Sequence, residues 1–361
     1  MSRIEALEAM SDAQESIVSP APPAPPTPQQ RRRKIASHTI KTAIGLGILA
    51  YLLYRYDIAE VYQNLGSVNL KLFALAWAYS LAAMTIYAYM TRVGMRPLGM
   101  PLTTIDILKV QFQVRFYSLF MPGAANMLVK WYKFARPAKQ PAQALIIMGF
   151  TRLLHTISLM LITSVGIWRD ANFPWPPLQW VAIASAAALI VGMLVFISEP
   201  GRRLAAVLAD LPLVHRWLPR AIAKKWQKLW HITAQLQGVS RREIAFLVFL
   251  AIAGNSLETL QHLAIGQAVG LELSVWVYAW LRGVILIAAM VPFSLAGLGV
   301  REASVVGILI FYAVPEEQAL AYSLLFFGGF VLGKGLIGGI LELIDLLRGA
   351  RPAPPPPTQG T

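Results

Sequence analysis

Charged side chains set inside long apolar runs are the residues of this sequence best suited to chemistry. Glu258, Arg282 and Lys334 each fall near the middle of such a run, and Arg152 with His155 lies within another. A charge at the centre of a hydrocarbon layer costs about 2.5–3.5 kcal/mol even on lenient insertion scales. These groups must therefore pair or face a polar cavity. Glu258 and Arg282 occupy consecutive runs, which tend to be neighbours, so they form the natural ion pair. Lys334 has only Glu342, two helical turns on, as an acidic neighbour, which makes it the better ligand for an anion. Gly329/Gly333 and Gly335/Gly339 flank it at i, i+4 spacing, the mark of a close-packing helix face.

Two interrupted segments add a second kind of site. The first runs Arg115-Phe116-Tyr117-Ser118-Leu119-Phe120-Met121-Pro122-Gly123-Ala124-Ala125-Asn126 and reaches Lys130. The second runs Met290-Val291-Pro292-Phe293-Ser294-Leu295-Ala296-Gly297-Leu298-Gly299-Val300-Arg301-Glu302. Each is an apolar stretch, a proline, glycine, then a helix restart that carries a cation. Proline ends a helix and glycine lets the chain turn, so the N–H groups of the restart lack partners. Such a helix start beside a cation suits an anion such as phosphate. Interrupted segments in two halves of a membrane protein point to a transport site; ordinary loops between spans are the simpler alternative. For Arg301 the alternatives are contact with a lipid phosphate, or pairing with an acidic neighbour or reaching to the interface.

Enzyme chemistry finds little support. The five histidines show no His-x-x-x-His spacing, so a zinc site is not expected. Nucleophile-elbow, Walker and dinucleotide motifs do not occur. The chain contains no cysteine, which removes disulfides and thiolate chemistry. No cofactor, metal or catalytic residue is expected.

The elements that must position these residues are membrane helices. Of 361 residues, 56% are hydrophobic and only 14% charged, against about 25% charged in a soluble domain. A hydrocarbon core needs about 20 apolar helical residues. Spans are predicted over 39–54, 72–90, 144–168, 178–197, 244–269, 275–291, 300–314 and 319–347. The stretch 105–121, interrupted by Lys109, Gln111, Gln113 and Arg115, reads as a re-entrant or cavity-lining element, because lipid does not tolerate that polarity. The fold class is therefore all-α, a polytopic integral membrane protein of about eight transmembrane helices plus re-entrant or broken segments.

The net charge of +14 sits between the spans, where it sets topology and meets anionic lipid rather than nucleic acid. Arg31–Lys34, Arg92/Arg96, the run Lys130/Lys133/Arg136/Lys139 and residues 201–242 are assigned to cytoplasmic loops. Asp57/Glu60, the Trp-rich turn at 168–180 and Pro315-Glu316-Glu317 take the opposite side. Both termini are then cytoplasmic. Within the long loop, Arg220, Lys224 and Lys228 align on a helix that is apolar on its other face, suited to an anionic leaflet or to capping the bundle. Residues 1–38 and 348–361 are Pro-rich and read as disordered tails around a membrane domain at 39–347.

The string Gly297-Leu298-Gly299-Val300-Arg301-Glu302, followed by Pro315-Glu316-Glu317 and a glycine-rich last span, resembles the lysylphosphatidylglycerol synthase transmembrane family. Met121-Pro122-Gly123 with Lys130-Trp131-Tyr132 is similar to an earlier motif of that family, and Arg152 to a Glu-Arg pair. The sequence departs from it with Ala125-Asn126 and with Thr151 in place of the Glu. The resemblance implies a flippase-like domain that translocates phospholipid or a lipid-linked group. The lysyl-transferring domain of the larger members is not expected in a chain that stops at Thr361.

Taken together, an inner-membrane protein of bacterial type is expected, which binds an anionic lipid headgroup and helps it across the bilayer. Arg115, Pro122, Gly123, Lys130, Arg152, Glu258, Arg282, Gly297, Gly299, Arg301, Glu302 and Lys334 form the expected site. Membrane lipids are the expected partners. Two alternatives stand: a membrane partner of a separate lipid-modifying enzyme or glycosyltransferase, and an integral-membrane enzyme acting on a polyprenyl or hopanoid-type lipid.

Overall fold

The structure, a computed structural model, describes Tyr54 and residues 58–121, 123–138, 140–197, 240–290 and 299–349. The expected span at 39–54 apart from Tyr54, the tails at 1–38 and 350–361, residues 201–239 of the long basic loop, Pro122 and Gly297 lie outside the described residues; Arg348 and Gly349, expected in the second tail, end the last helix. The described residues are all-helical, with no strand among them.

In chain order the helices are α1 (Ile58–Gly66), α2 (Leu70–Met95), α3 (Thr104–Ser118), α4 (Gly123–Ala138), α5 (Pro141–Arg169) and α6 (Pro176–Ile197). They continue with α7 (Arg241–Ala268), α8 (Val275–Met290), α9 (Val300–Leu309), α10 (Glu316–Phe326) and α11 (Gly333–Gly349), the last two joined by a π-helical turn, Phe327–Leu332. Polar residues begin them where the orphan N–H groups need partners. Asn69 Oδ1 accepts from Lys71 and Leu72 (3.0 and 3.3 Å) at the start of α2. Thr103 with Asp106, and Ser240 with Glu243, form reciprocal caps on α3 and α7.

Among the described residues, four helical stretches are long and apolar enough to cross a membrane: Leu70–Leu98, Pro141–Arg169, Arg242–Ala268 and Glu316–Arg348. The segment 300–314 differs from expectation. It is a 10-residue helix closed by a 3-10 turn, Ile310–Tyr312, about 15 Å of α-helix where the hydrocarbon needs about 30 Å. With the 16-residue α8 before it, it makes a pair of short helices around the second break. The 15-residue α3 and 16-residue α4 make a similar pair around the first.

The expected basic loop at 130–139 is also corrected. Lys130, Lys133 and Arg136 lie within α4, because apolar residues between them supply a helical face that buries Phe134 completely.

Packing divides the interior into two apolar cores. One gathers Met90, Met95, Ile107, Phe134, Ile147 and Leu247 from α2, α3, α4, α5 and α7. The other gathers Val61, Phe173, Ile265, Trp280, Leu309 and Leu320 from α1, the α5–α6 turn and α7 to α10. Val61, Phe173 and Ala319, in or beside the three segments assigned from sequence to the non-cytoplasmic side, therefore meet in one core. There Asp170 ties the end together: it accepts from Trp280 Nε1 (2.9 Å), from the Tyr312 hydroxyl and from the Asn172 N–H (3.1 Å).

The glycines of the last span are packing sites. A methyl group on Gly333 would lie 2.8 Å from the Trp77 ring of α2, and one on Gly335 2.5 Å from Leu119, just after α3. At Gly338 it would overlap the Phe112 carbonyl of α3. These contacts hold α11 directly against α3.

Candidate functional site

Between the two cores the long helices turn polar. On α7 the buried apolar residues stop at Ala251 and resume at Ala264, and Asn255, Glu258, Thr259, Gln261 and His262 fill the interval. On α5 the first core ends at Leu154, and His155 and buried Ser158 follow.

Arg282 of α8 reaches into this layer and joins Glu258 in an ion pair. Its guanidinium also donates to the Asn255 carbonyl (3.0 Å) and to Asn255 Oδ1 (2.7 Å). The Asn255 amide donates onward to Ser158 Oγ (2.7 Å) and to the His155 carbonyl (3.2 Å). Tyr87 of α2 donates to Glu258 (3.3 Å) and meets the His155 ring edge-on (4.9 Å). Four helices thus share one hydrogen-bonded network.

The second break ends in a different arrangement from the one expected. Gly299, at φ +82°, caps α9. Its N–H donates to Glu302 Oε2 (2.7 Å), and the other carboxylate oxygen pairs with Arg301. An internal carboxylate thus takes the donors that an incoming phosphate was expected to use. Arg301 and Glu302 are almost fully buried, and the guanidinium lies over the Phe327 ring (4.8 Å). This geometry is that of the alternative in which Arg301 pairs with an acidic neighbour: a charge buried this deeply needs a partner, and the nearest is one residue away.

Beside it, His262 Nδ1 and the Tyr322 hydroxyl are 2.6 Å apart, and Phe326 stacks on the His262 ring (4.6 Å).

The last helix carries the other carboxylates. Glu342 accepts from Lys133 of α4 (2.8 Å) and Tyr117 of α3 (2.9 Å). Asp345 accepts from Gln113 (2.7 Å) and pairs with Lys109. Lys109, Gln113 and Tyr117 of the interrupted stretch 105–121 are thereby satisfied. Glu342 is not the partner of Lys334.

Four of the expected site cations remain without a carboxylate among the described residues. Lys334 is buried, only 8% exposed, and has no hydrogen-bond or ion-pair partner there; its ammonium lies over the Phe330 ring (5.7 Å). Lys130, half-buried on α4 two turns after Gly123, lies over Phe134 (5.5 Å). Arg115 in the last turn of α3 and Arg152 on α5 are exposed. These cations act on one another: Lys130 stands in the field of Arg115 and Arg152, and Lys334 in that of Arg115, Glu258 and Arg282. The first interrupted segment therefore carries cations without carboxylates, and the second carries a neutral pair.

Asn255, Tyr87, Ser158, Lys133 and Glu342 escaped the sequence reading as site residues. Asn255, Glu258 or Thr259, and His262 recur every three or four residues on α7, so a polar stripe within the apolar run was the available signal.

A membrane protein made of helices around an internal, net-cationic polar layer is the class these features define. The chain belongs to the family described as the lysylphosphatidylglycerol synthase TM region, whose model matches residues 39–330. It is thus a membrane protein of a lipid-related family. No curated protein matches it.

Proposed function

We propose that the protein binds the anionic headgroup of a membrane lipid at this polar layer and aids its passage between leaflets, without altering it chemically. The observation that carries the reading is the set of four cations, Arg115, Lys130, Arg152 and Lys334, left without carboxylates beside four ion pairs that consume Lys109, Lys133, Arg282 and Arg301. Uncompensated cations at membrane depth are costly, and a headgroup phosphate would relieve that cost while it passes. Arginine supplies bidentate donors for phosphate and lysine a compact charge.

In this reading the protein lies in a bacterial-type inner membrane with both termini cytoplasmic, and membrane lipids are its partners. Exposed Arg115 and Arg152 make first contact and Lys334 holds the headgroup further in.

Reconstitution tests the proposal. Purified protein in proteoliposomes should equilibrate a fluorescent anionic phospholipid between leaflets, read by quenching of the outer-leaflet label. Exchange no faster than in protein-free vesicles overturns it. A change in the lipid's mass would mark an enzyme instead.

A further inference from the structure

Counting which charges are already matched narrows the ligand further. Glu258, Glu302 and Glu342 in the interior and the partly exposed Asp345 are each paired with one cation, Arg282, Arg301, Lys133 and Lys109 respectively, while buried Asp170, in the second core, is held by Trp280, Tyr312 and the Asn172 N–H. That pairing neutralises both kinds of group and leaves Arg115, Lys130, Arg152 and Lys334 over. They lie on four helices, α3, α4, α5 and α11, with Lys130 in the field of Arg115 and Arg152 and Lys334 in that of Arg115. Lys130 stands one turn from Lys133, whose bond to Glu342 fastens α4 to α11, and Lys334 lies two turns before Glu342 on that same helix. Leu119, four residues after Arg115, touches the α11 backbone at Gly335, next to Lys334.

Lys334 points most directly to a ligand. It is a lysine more than nine-tenths buried, its ammonium over an aromatic face and with no acceptor among the described residues. A buried charge is tolerated when something neutralises it for part of the working cycle.

Resting on the reading that this site takes an anionic headgroup, we infer that it is built for one with two or more negative charges, a lipid phosphomonoester or diphosphate, rather than a singly charged phosphodiester. A monoanion would leave three of the four cations repelling one another. A second charge on the same headgroup cancels another of them without a new contact surface. Two arginines offer forks that can share the terminal oxygens of one phosphate, and a terminal phosphate has three such oxygens where a phosphodiester has two.

Full-length protein in phosphatidylcholine nanodiscs, loaded with equal amounts of phosphatidic acid and phosphatidylglycerol of identical acyl chains, tests this by native mass spectrometry at pH 8. Phosphatidic acid should occupy the protein about tenfold more, as one extra unit charge near an uncompensated cation would give at intermediate dielectric. Lys334→Met should cut that preference to under about threefold, and Lys130→Met, at a half-buried position, provides a second reading if the first variant folds poorly. Equal occupancy by the two lipids overturns the inference while leaving the anionic-headgroup reading intact. Occupancy by neither above phosphatidylcholine overturns both. Inorganic phosphate, added at the concentration of the phosphatidic acid, should not displace it; displacement would assign the site to a free anion and overturn the lipid assignment.

Discussion

Glu258→Gln probes the polar layer at the pair that links α7 to α8. The Arg282 and Glu258 side chains are 8% and 17% exposed, so the glutamine would leave a guanidinium charge buried without its counter-ion. Arg282 would keep its two bonds to Asn255, at 3.0 and 2.7 Å. The loss should therefore fall at the low end of the range for breaking a buried pair, about 3 kcal/mol. Arg282→Met removes all three of its bonds and leaves the carboxylate with Tyr87 alone, at 3.3 Å, which should cost about 4 kcal/mol. The double variant buries no unpaired charge at this position. Its loss should stay well below the sum, with a coupling of about 2 kcal/mol. Denaturant unfolding of the protein in detergent micelles, followed by circular dichroism on all four proteins of the cycle, measures that coupling. Additivity within about 0.5 kcal/mol would refute the claim that the pair organises the layer.

Other substitutions separate structural charges from unmatched ones. Arg301→Gln should destabilise the protein by about 3 kcal/mol by stranding Glu302, and adding Glu302→Gln should recover part of it; a singly substituted protein as stable as wild type would refute the pairing. Gly338→Ala should force α11 away from the Phe112 carbonyl and cost about 1–3 kcal/mol, read as a lowered thermal midpoint; an unchanged midpoint would mean that the helices do not touch there. Lys334→Met should instead raise stability by about 0.5–2 kcal/mol, the pattern of a functional residue held at the expense of stability. A loss of stability would mean that Lys334 has a structural partner.

Much of this architecture was legible in the sequence because hydrophobic runs long enough for a membrane leave few alternatives. The long helices at 70–95, 141–169 and 241–268 follow directly from that pattern. The Glu258–Arg282 pair followed too, since two opposite charges on adjacent apolar helices have few other ways to be neutralised. The glycine pairs of the last span likewise read as packing surfaces, and each meets a neighbouring helix: Gly329 and Gly333 meet Phe73 and Trp77, and Gly335 and Gly339 meet Leu119 and Phe116. What hydropathy does not encode is length within a broken element. The segment 300–314 is apolar enough for a span, but its helix ends at Leu309 and turns through Ala313 in the left-handed region. Nor does hydropathy separate a basic loop from a helix that packs between its cations, as at Lys130, Lys133 and Arg136.

Partner choice among charges was the least legible feature, and the reason is geometric. Glu302 follows Arg301 directly, and successive helical residues usually point 100° apart, so their pairing is not suggested by helix periodicity. It becomes available because Glu302 is the third residue of α9 and folds back to cap Gly299, which brings its second oxygen to the guanidinium. Glu342 and Asp345 are claimed by α3 and α4 because small glycines let α11 approach α3 closely enough for short contacts. Close packing and charge pairing are thus one device. Glu258, Glu342 and Asp345 are consumed between helices, and Glu302 within α9. Lys334 stands one turn before the tightest of these contacts, at Gly338, and directly after the π-helical turn that interrupts the regular ladder.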